Sequence, residues 1–148
     1  LLAGADQELV EVRIGAEHRR VGERGRDREP ILRGAELDFA DPATIDFVRR
    51  QGTQAKYVTS VCTGAFVLGV AGLLRGKRAT THWAALDLLA TIDSSIEVNR
   101  DARYVDDGIV SSAGVSAGID MAFYVVERLC GREVADETAH YIDYPRAR

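Results

Sequence analysis

The sequence has few cysteines, no long apolar run and no excess of positive charge. Its 148 residues include two cysteines, Cys62 and Cys130, which are too few for a disulfide framework. No apolar run approaches the ~20 uncharged residues of a membrane span, and the first residues carry no signal-peptide pattern. The net charge of −4 gives no overall nucleic-acid signature. We therefore expect a protein of the reducing cytoplasm, with a free thiol and without a membrane or nucleic-acid partner.

The sequence also lacks the residue spacings that are typical of metal sites and of phosphate-binding loops. The histidines at positions 18, 82 and 140 are widely separated, and no Cys/His pair has the spacing of metal ligands. The segment from Gly114 to Gly118 lacks the lysine and the spacing of a P-loop. The sequence therefore predicts neither a metal site nor a cofactor.

What the sequence does contain is an alternation of strand and helix patterns. Its 46% apolar and 28% charged residues are typical of a globular protein, and its length suits one domain over residues 1–148. The alternation predicts an α/β fold with a mainly parallel sheet flanked by helices. Asp107-Gly108 is a strong signal for a hairpin turn. Strands are predicted over 9–14, 57–61, 78–81, 96–98, 103–106 and 109–112, and helices over 41–50, 66–74, 84–90, 119–129 and 134–142.

Residues 17–40 are atypical of such a domain. They have few apolar residues, no periodicity and a high density of arginine, which favours a solvated loop. A basic nucleic-acid patch is the weaker alternative, because no aromatic residues lie between the arginines. The arginines are Arg19, Arg20, Arg24, Arg26, Arg28 and Arg33.

Cys62 falls where a predicted strand turns sharply into a helix. The strand at 57–61 is rich in β-branched and aromatic residues. Ser60 and Gly64 are small enough for a tight turn, which predicts a nucleophile elbow with sulfur in place of the serine oxygen. Unpaired N–H groups at a helix N-terminus would stabilise a thiolate there. The alternative is a small, buried and unreactive cysteine.

Two further segments are predicted to meet Cys62. In a parallel sheet the working crevice lies outside the carboxyl ends of the strands. His82 and the small-residue turn that contains Gly114 and Ser116 both follow predicted strands, as Cys62 does. Cys62, Gly64, His82, Gly114 and Ser116 are therefore candidate residues of one site.

The neighbours of the thiol each have a chemical and a structural interpretation. The N–H of Thr63 could form half of an oxyanion hole, or Thr63 could be an ordinary first-turn residue. His82 could exchange a proton with Cys62. It could instead orient a neighbouring loop while Trp83 packs in the core, which is the favoured interpretation. Gly118 is expected to allow close strand-to-helix packing, Asp120 to be a first-turn acid and Cys130 to be inert.

Three blocks of sequence together resemble the DJ-1/PfpI superfamily, part of the class I glutamine amidotransferase-like folds. They read SVCTGA at 60–65, RATTHW at 78–83 and AGVSAGID at 113–120. Within the superfamily they look like the isonitrile hydratase branch, and also like the ligand-sensing domain of AraC-type regulators. The resemblance spans about residues 41–143 and implies a flavodoxin-like layered sandwich.

The resemblance implies a function and a partner. Cys62 would be the nucleophile of a lyase that converts an isonitrile to an N-substituted formamide through a thioimidate, and Thr63 would contact substrate or sulfur. Superfamily proteases and deglycase-like members often have histidine where this chain has Thr63, which argues against those activities. A homodimer with a small-molecule substrate is implied. The alternative is a non-catalytic ligand- or redox-sensing domain.

The sequence departs from the family pattern before residue 41. The resemblance calls for an initial βα unit with an acidic residue near the nucleophile, and for a Pro-Gly-Gly-like turn that supplies oxyanion contacts. Neither has a match here, and residues 24–39 occupy the place of the turn. We hypothesise that the chain is truncated or altered in this part. An intact reading frame with a start codon at Leu1 in the source gene would contradict this.

Overall fold

The computed structural model describes residues 10–12 and 41–146. The predicted atypical segment 17–40 lies outside the described residues. A single domain over residues 1–148 stays a prediction. The strands are β1 (Val10–Val12), β2 (Val58–Val61), β3 (Arg78–Ala79), β4 (Glu97–Val98), β5 (Tyr104–Asp106) and β6 (Val110–Ser112). The helices are α1 (Pro42–Gly52), α2 (Gly64–Val70), α3 (Leu86–Ile92), α4 (Val115–Cys130) and α5 (Arg132–Tyr141), with a 3₁₀ turn at Trp83–Ala85 before α3.

Among the described residues, the main sheet has four strands in the order β1-β2-β6-β5. β2 lies parallel to both β1 and β6, with Ser60 opposite Ser111 in the second pairing. β5 and β6 form an antiparallel hairpin around Asp107-Gly108, and Gly108 has the positive φ of 78° that such a turn requires. The predicted α/β fold with a mainly parallel sheet is confirmed.

The strand predicted at 78–81 is shorter than expected, since β3 covers only Arg78–Ala79. β3 pairs in parallel with β4, in a separate two-stranded sheet. It is joined to the main sheet through a side chain, since the N–H of Thr80 donates to Oγ of Ser111 at 2.9 Å. β3 therefore ends at Ala79, and the segment that follows contacts the turn after β2 through the hydroxyl of Thr81.

Helix α1 begins as its sequence predicts. Asp41 is the N-cap, and its carboxylate accepts hydrogen bonds from the N–H groups of Ala43 and Thr44. The hydrogen bonds from Thr44 lower the pKa of Asp41. Pro42 occupies the first turn, where no N–H is needed.

Helices cover both faces of the sheet. Adjacent strand residues point to opposite faces, and Ile109 and Val110 belong to two different apolar clusters. The larger cluster joins α1, α2 and α3 through residues such as Ile45, Phe66 and Leu89. The smaller one joins β6 to α4 through Met121 and Val125. The layers are those of the expected sandwich. No helix in the described part of the chain combines the length and apolarity needed to cross a membrane.

The helix bounds differ from the predictions by a few residues, most clearly in α2 and α4. α2 ends at Val70, several residues before the predicted end at 74. α4 begins at Val115 rather than 119, so the small residues of 115–118 form its first turn. Among the apolar residues of α4, Met121 and Val125 are buried, whereas Ala122 and Leu129 are exposed.

Gly118 explains the orientation of α4. A Cβ on Gly118 would lie 3.0 Å from Cγ1 of Val61, so the helix approaches β2 closely at this residue. The buried face of the helix then includes Ala117, Met121 and Val125. This confirms the predicted packing role of Gly118, and it turns Ala122 and Leu129 toward solvent.

Candidate active site

Cys62 lies between the end of β2 and the start of α2, in the strand–turn–helix arrangement that its sequence predicts. Its side chain is partly exposed and its thiol is free. Its φ is 57°, a left-handed conformation that is uncommon for a residue with a Cβ. Such a conformation costs on the order of 1–3 kcal/mol and persists only where the surroundings enforce it.

Hydrogen bonds hold both ends of Cys62. Its N–H donates to the carbonyl oxygens of Ser112 at 3.1 Å and Ala113 at 2.8 Å, directly after β6. Its own carbonyl oxygen accepts from the hydroxyl of Thr81 at 2.7 Å. The turn after β2 is thus tied to the two other segments that were predicted to converge on it.

Thr63 is the N-cap residue of α2, with helical backbone angles and no capping hydrogen bond from its side chain. Its carbonyl oxygen accepts from the N–H of Phe66 at 3.0 Å. Among the described residues, the N–H of Thr63 has no backbone acceptor, as expected for a group at the start of a helix. An N–H next to the thiol is therefore available to a ligand, and its role in an oxyanion hole stays a prediction.

The residues beside Cys62 are small and closely packed. Gly64 and Ala65 are buried, and Ser60 is completely buried in β2. Small, buried residues therefore flank Cys62 on both sides of the turn.

His82 caps the 3₁₀ turn before α3. Its Nδ1 accepts a hydrogen bond from the N–H of Ala84 at 3.3 Å. In a neutral imidazole this places the proton on Nε2, so the ring can donate a hydrogen bond from that nitrogen. Its Cδ2 lies 3.6 Å from the position that a Cβ on Gly114 would take. His82 and Gly114 are therefore neighbours, as predicted.

The expectation that Trp83 packs in the core is wrong. Its side chain is 73% exposed, and its ring centroid lies 5.3 Å from that of His82. Val115, next to Gly114, is 79% exposed. The physical reason is that the 3₁₀ turn directs Ala85 rather than Trp83 into the core. An apolar surface therefore adjoins the contact between His82 and Gly114.

A polar network that the sequence did not reveal includes Ser116, in the first turn of α4. Arg103 donates from Nε to Asp120 and, at 3.4 Å, from Nη2 to Oγ of Ser116. The hydroxyl of Tyr144 also donates to Asp120, at 2.7 Å. The hydrogen bond to Asp120 raises the pKa of Arg103, and the same carboxylate raises the pKa of Tyr144.

Asp120 is therefore not the first-turn acid that was expected. It lies more than one turn into α4 and forms an ion pair. Arg103 also contacts the site through its backbone, because its carbonyl oxygen accepts from the N–H of Ala113 at 2.8 Å. Neither Arg103 nor Tyr144 could be found from spacing, since both lie far from Asp120 in sequence.

Among the described residues, the hydrogen-bond partners of Cys62 are backbone groups and the hydroxyl of Thr81, and none of them is a carboxylate.

Cys130, at the end of α4, is exposed. Within residues 10–12 and 41–146, no three His, Cys, Asp or Glu side chains form a group that could hold a metal ion.

The fold and the site together define a class of protein. It is an α/β sandwich domain in which a cysteine with left-handed backbone angles lies between a parallel strand and a helix. Residues 34–128 match the model of the DJ-1/PfpI family. The chain belongs to the DJ-1/PfpI family.

Relatives within the family include an enzyme and a regulator. The chain is 47% identical to isonitrile hydratase of Pseudomonas putida over 72% of its own length and 46% of that protein. It is 29% identical to the HTH-type transcriptional regulator CdhR of Pseudomonas aeruginosa over 76% of its length and 33% of that protein. The chain thus spans half or less of the length of these curated relatives.

A solved structure agrees with this assignment. A ThiJ/PfpI family protein from Pseudomonas syringae superposes with a TM-score of 0.70 at 35% identity, over 78% of this chain and 47% of that chain.

Proposed function

We propose that this protein is a cysteine-dependent hydratase that converts an isonitrile to an N-substituted formamide. The observation that carries the proposal is the 47% identity to isonitrile hydratase over 72% of the chain. The left-handed turn at Cys62 supports it, because strained backbone of this kind is concentrated at functional sites.

In the proposed reaction the Cys62 thiolate attacks the terminal carbon of the isonitrile and forms a carbon–sulfur bond. A proton is taken up, which gives a thioimidate on Cys62. Water then adds to the same carbon, the carbon–sulfur bond breaks, and the formamide leaves while the thiol regains its proton. The net change is the addition of one water to the isonitrile, so no redox partner is needed.

Thr63 and His82 would assist this chemistry through hydrogen bonds. The N–H of Thr63 is adjacent to the sulfur and lacks a backbone acceptor among the described residues, so it can stabilise charge that develops on the adduct. His82 would act as a donor from Nε2, because Nδ1 already accepts from Ala84. The apolar substituent of the substrate would lie against Trp83 and Val115, which are exposed beside His82 and Gly114.

Formamide production by three proteins tests the proposal. The wild type and Cys130→Ser are expected to convert a small alkyl isonitrile, because Cys130 is exposed at the far end of α4. Cys62→Ala is expected to be inactive. Formamide from Cys62→Ala at the wild-type rate, or none from the wild type, would contradict the proposal.

A second candidate is a ligand- or redox-sensing domain. The similarity to CdhR favours it, as does the partial exposure of the Cys62 thiol, which permits oxidation to sulfenic and sulfinic acid. Binding without turnover would raise the melting temperature in the presence of an isonitrile. Stabilisation with no formamide would support sensing over hydration.

The proposal includes a homodimer with the site near its interface. The exposure of Val115 and Trp83 next to the candidate site is consistent with a covering partner. Sedimentation of the wild type and of Val115→Asp tests this. We expect a dimer that the substitution weakens, and a monomeric wild type would contradict it.

A further inference from the structure

The carbonyl oxygen of Cys62 has one short hydrogen bond. It comes from the hydroxyl of Thr81, at 2.7 Å. The N–H of Ala65 also approaches this oxygen, but at 3.4 Å, beyond the usual range for a good N–H···O bond. The Thr81 hydroxyl is therefore the group that sets the direction of this carbonyl.

Thr81 is itself held in place. Its side chain is 1% exposed. On one side, the N–H of Thr80 donates to Oγ of Ser111 on β6. On the other side, His82 caps the turn that follows. The hydroxyl is thus fixed relative to the sheet, so it acts as a rigid contact on the Cys62 turn.

The direction of the Cys62 carbonyl determines the direction of a second group. The carbonyl of Cys62 and the N–H of Thr63 belong to one planar, trans peptide unit, and they point to opposite sides of it. A hydrogen bond that fixes the carbonyl therefore fixes the N–H as well. No cis peptide bond interrupts this relationship among the described residues.

We propose that Thr81 is a positioning residue, whose hydroxyl holds the Cys62–Thr63 peptide so that the thiol and the Thr63 N–H face the same ligand. The inference rests on the proposed function for the chemistry of that ligand. It assigns a role to a threonine that touches neither sulfur nor substrate. Loss of the hydroxyl lets the peptide rotate and relax the left-handed turn, which moves the Thr63 N–H away from the charge that it stabilises.

Three variants in a Cys130→Ser background test this, because the exposed Cys130 would otherwise react as well. Thr81→Val removes the hydroxyl and keeps the shape of the side chain. Thr81→Ser restores the hydroxyl. Thr80→Val is the matched control, since Thr80 is equally buried and its contact with Ser111 uses its backbone N–H.

The first readout is the rate of alkylation of Cys62 by iodoacetamide, which needs no isonitrile turnover. Thr81→Val is expected to lower it about tenfold, equivalent to about 1.4 kcal/mol of barrier. Thr81→Ser and Thr80→Val are expected to keep the wild-type rate. An unchanged rate in folded Thr81→Val, or an equal loss in Thr80→Val, would overturn the inference. If Thr81→Val does not fold, Thr81→Ser decides: a wild-type rate supports the inference, and a tenfold loss overturns it.

The second readout is the hydration itself. Thr81→Val is expected to lower kcat with little change in KM, because the positioned N–H acts on the adduct rather than on the free substrate. A wild type that makes no formamide would refute the proposed function, while the alkylation rates would still decide the role of Thr81.

Discussion

The backbone N–H of Cys62 donates a hydrogen bond to the carbonyl oxygen of Ala113 at 2.8 Å. This contact joins the turn after β2 to the turn after β6, so two segments 51 positions apart form one edge of the candidate site. Ala113 is in turn held by Arg103 through its own N–H. Contacts of the assembled sheet therefore hold Cys62 in its unusual conformation, in addition to the turn that the local sequence predicts.

The left-handed turn leads to a prediction about stability. Cys62→Gly is expected to be more stable than Cys62→Ala by about 1 kcal/mol, because glycine adopts a φ of 57° without steric cost. Urea unfolding of the two variants measures the difference. Cys130 is the last residue of helix α4, so there the alanine variant is expected to be more stable than the glycine variant. Greater stability of Cys62→Ala would mean that the turn is not left-handed in solution.

The close approach of α4 to β2 leads to a second prediction. Gly118→Ala is expected to lower the unfolding free energy by about 1–3 kcal/mol, because the new Cβ would lie 3.0 Å from Cγ1 of Val61. Val61→Ala removes the obstructing methyl groups, so the double variant should lose less stability than the sum of the two single variants. Additive losses would show that the two residues are not in contact.

A third prediction concerns acid. Hydrogen bonds from Ser95, with the contact to Arg75, lower the pKa of Asp93 to about 2. Because the folded-state pKa lies below the ordinary value of 3.8, the stabilisation is present above pH 3.8 and is lost as the pH falls toward 2. The difference in unfolding free energy between wild type and Asp93→Asn should therefore shrink over this window. A difference that does not change with pH would contradict the assignment.

Local chemistry made some features predictable from the sequence. The Asp41 cap and the Asp107-Gly108 turn depend on residues within a few positions of one another, and both are present as expected. The turn at Cys62 was also predictable, because the pattern of a strand followed by small residues and an apolar helix is local. The roles of Cys62 and Thr63 in catalysis remain predictions.

Features that depend on tertiary contacts were not predictable. The small residues of 115–118 looked like a loop, but they start α4, because a helix that lies this close to β2 needs small side chains there. The strand predicted at 78–81 ends at Ala79 and pairs with β4 in a second sheet, which no local pattern indicates. Thr81 carries no local signal for its contact with Cys62, since the hydrogen bond spans 19 positions in the sequence.

The most direct test of the central claim is the mass of the peptide that contains Cys62, measured after the protein is quenched during reaction with an isonitrile. We predict an increase equal to one isonitrile molecule, which disappears as formamide accumulates and is absent from Cys62→Ala. Formamide that accumulates without this adduct, or an adduct on Cys130 alone, would contradict the account.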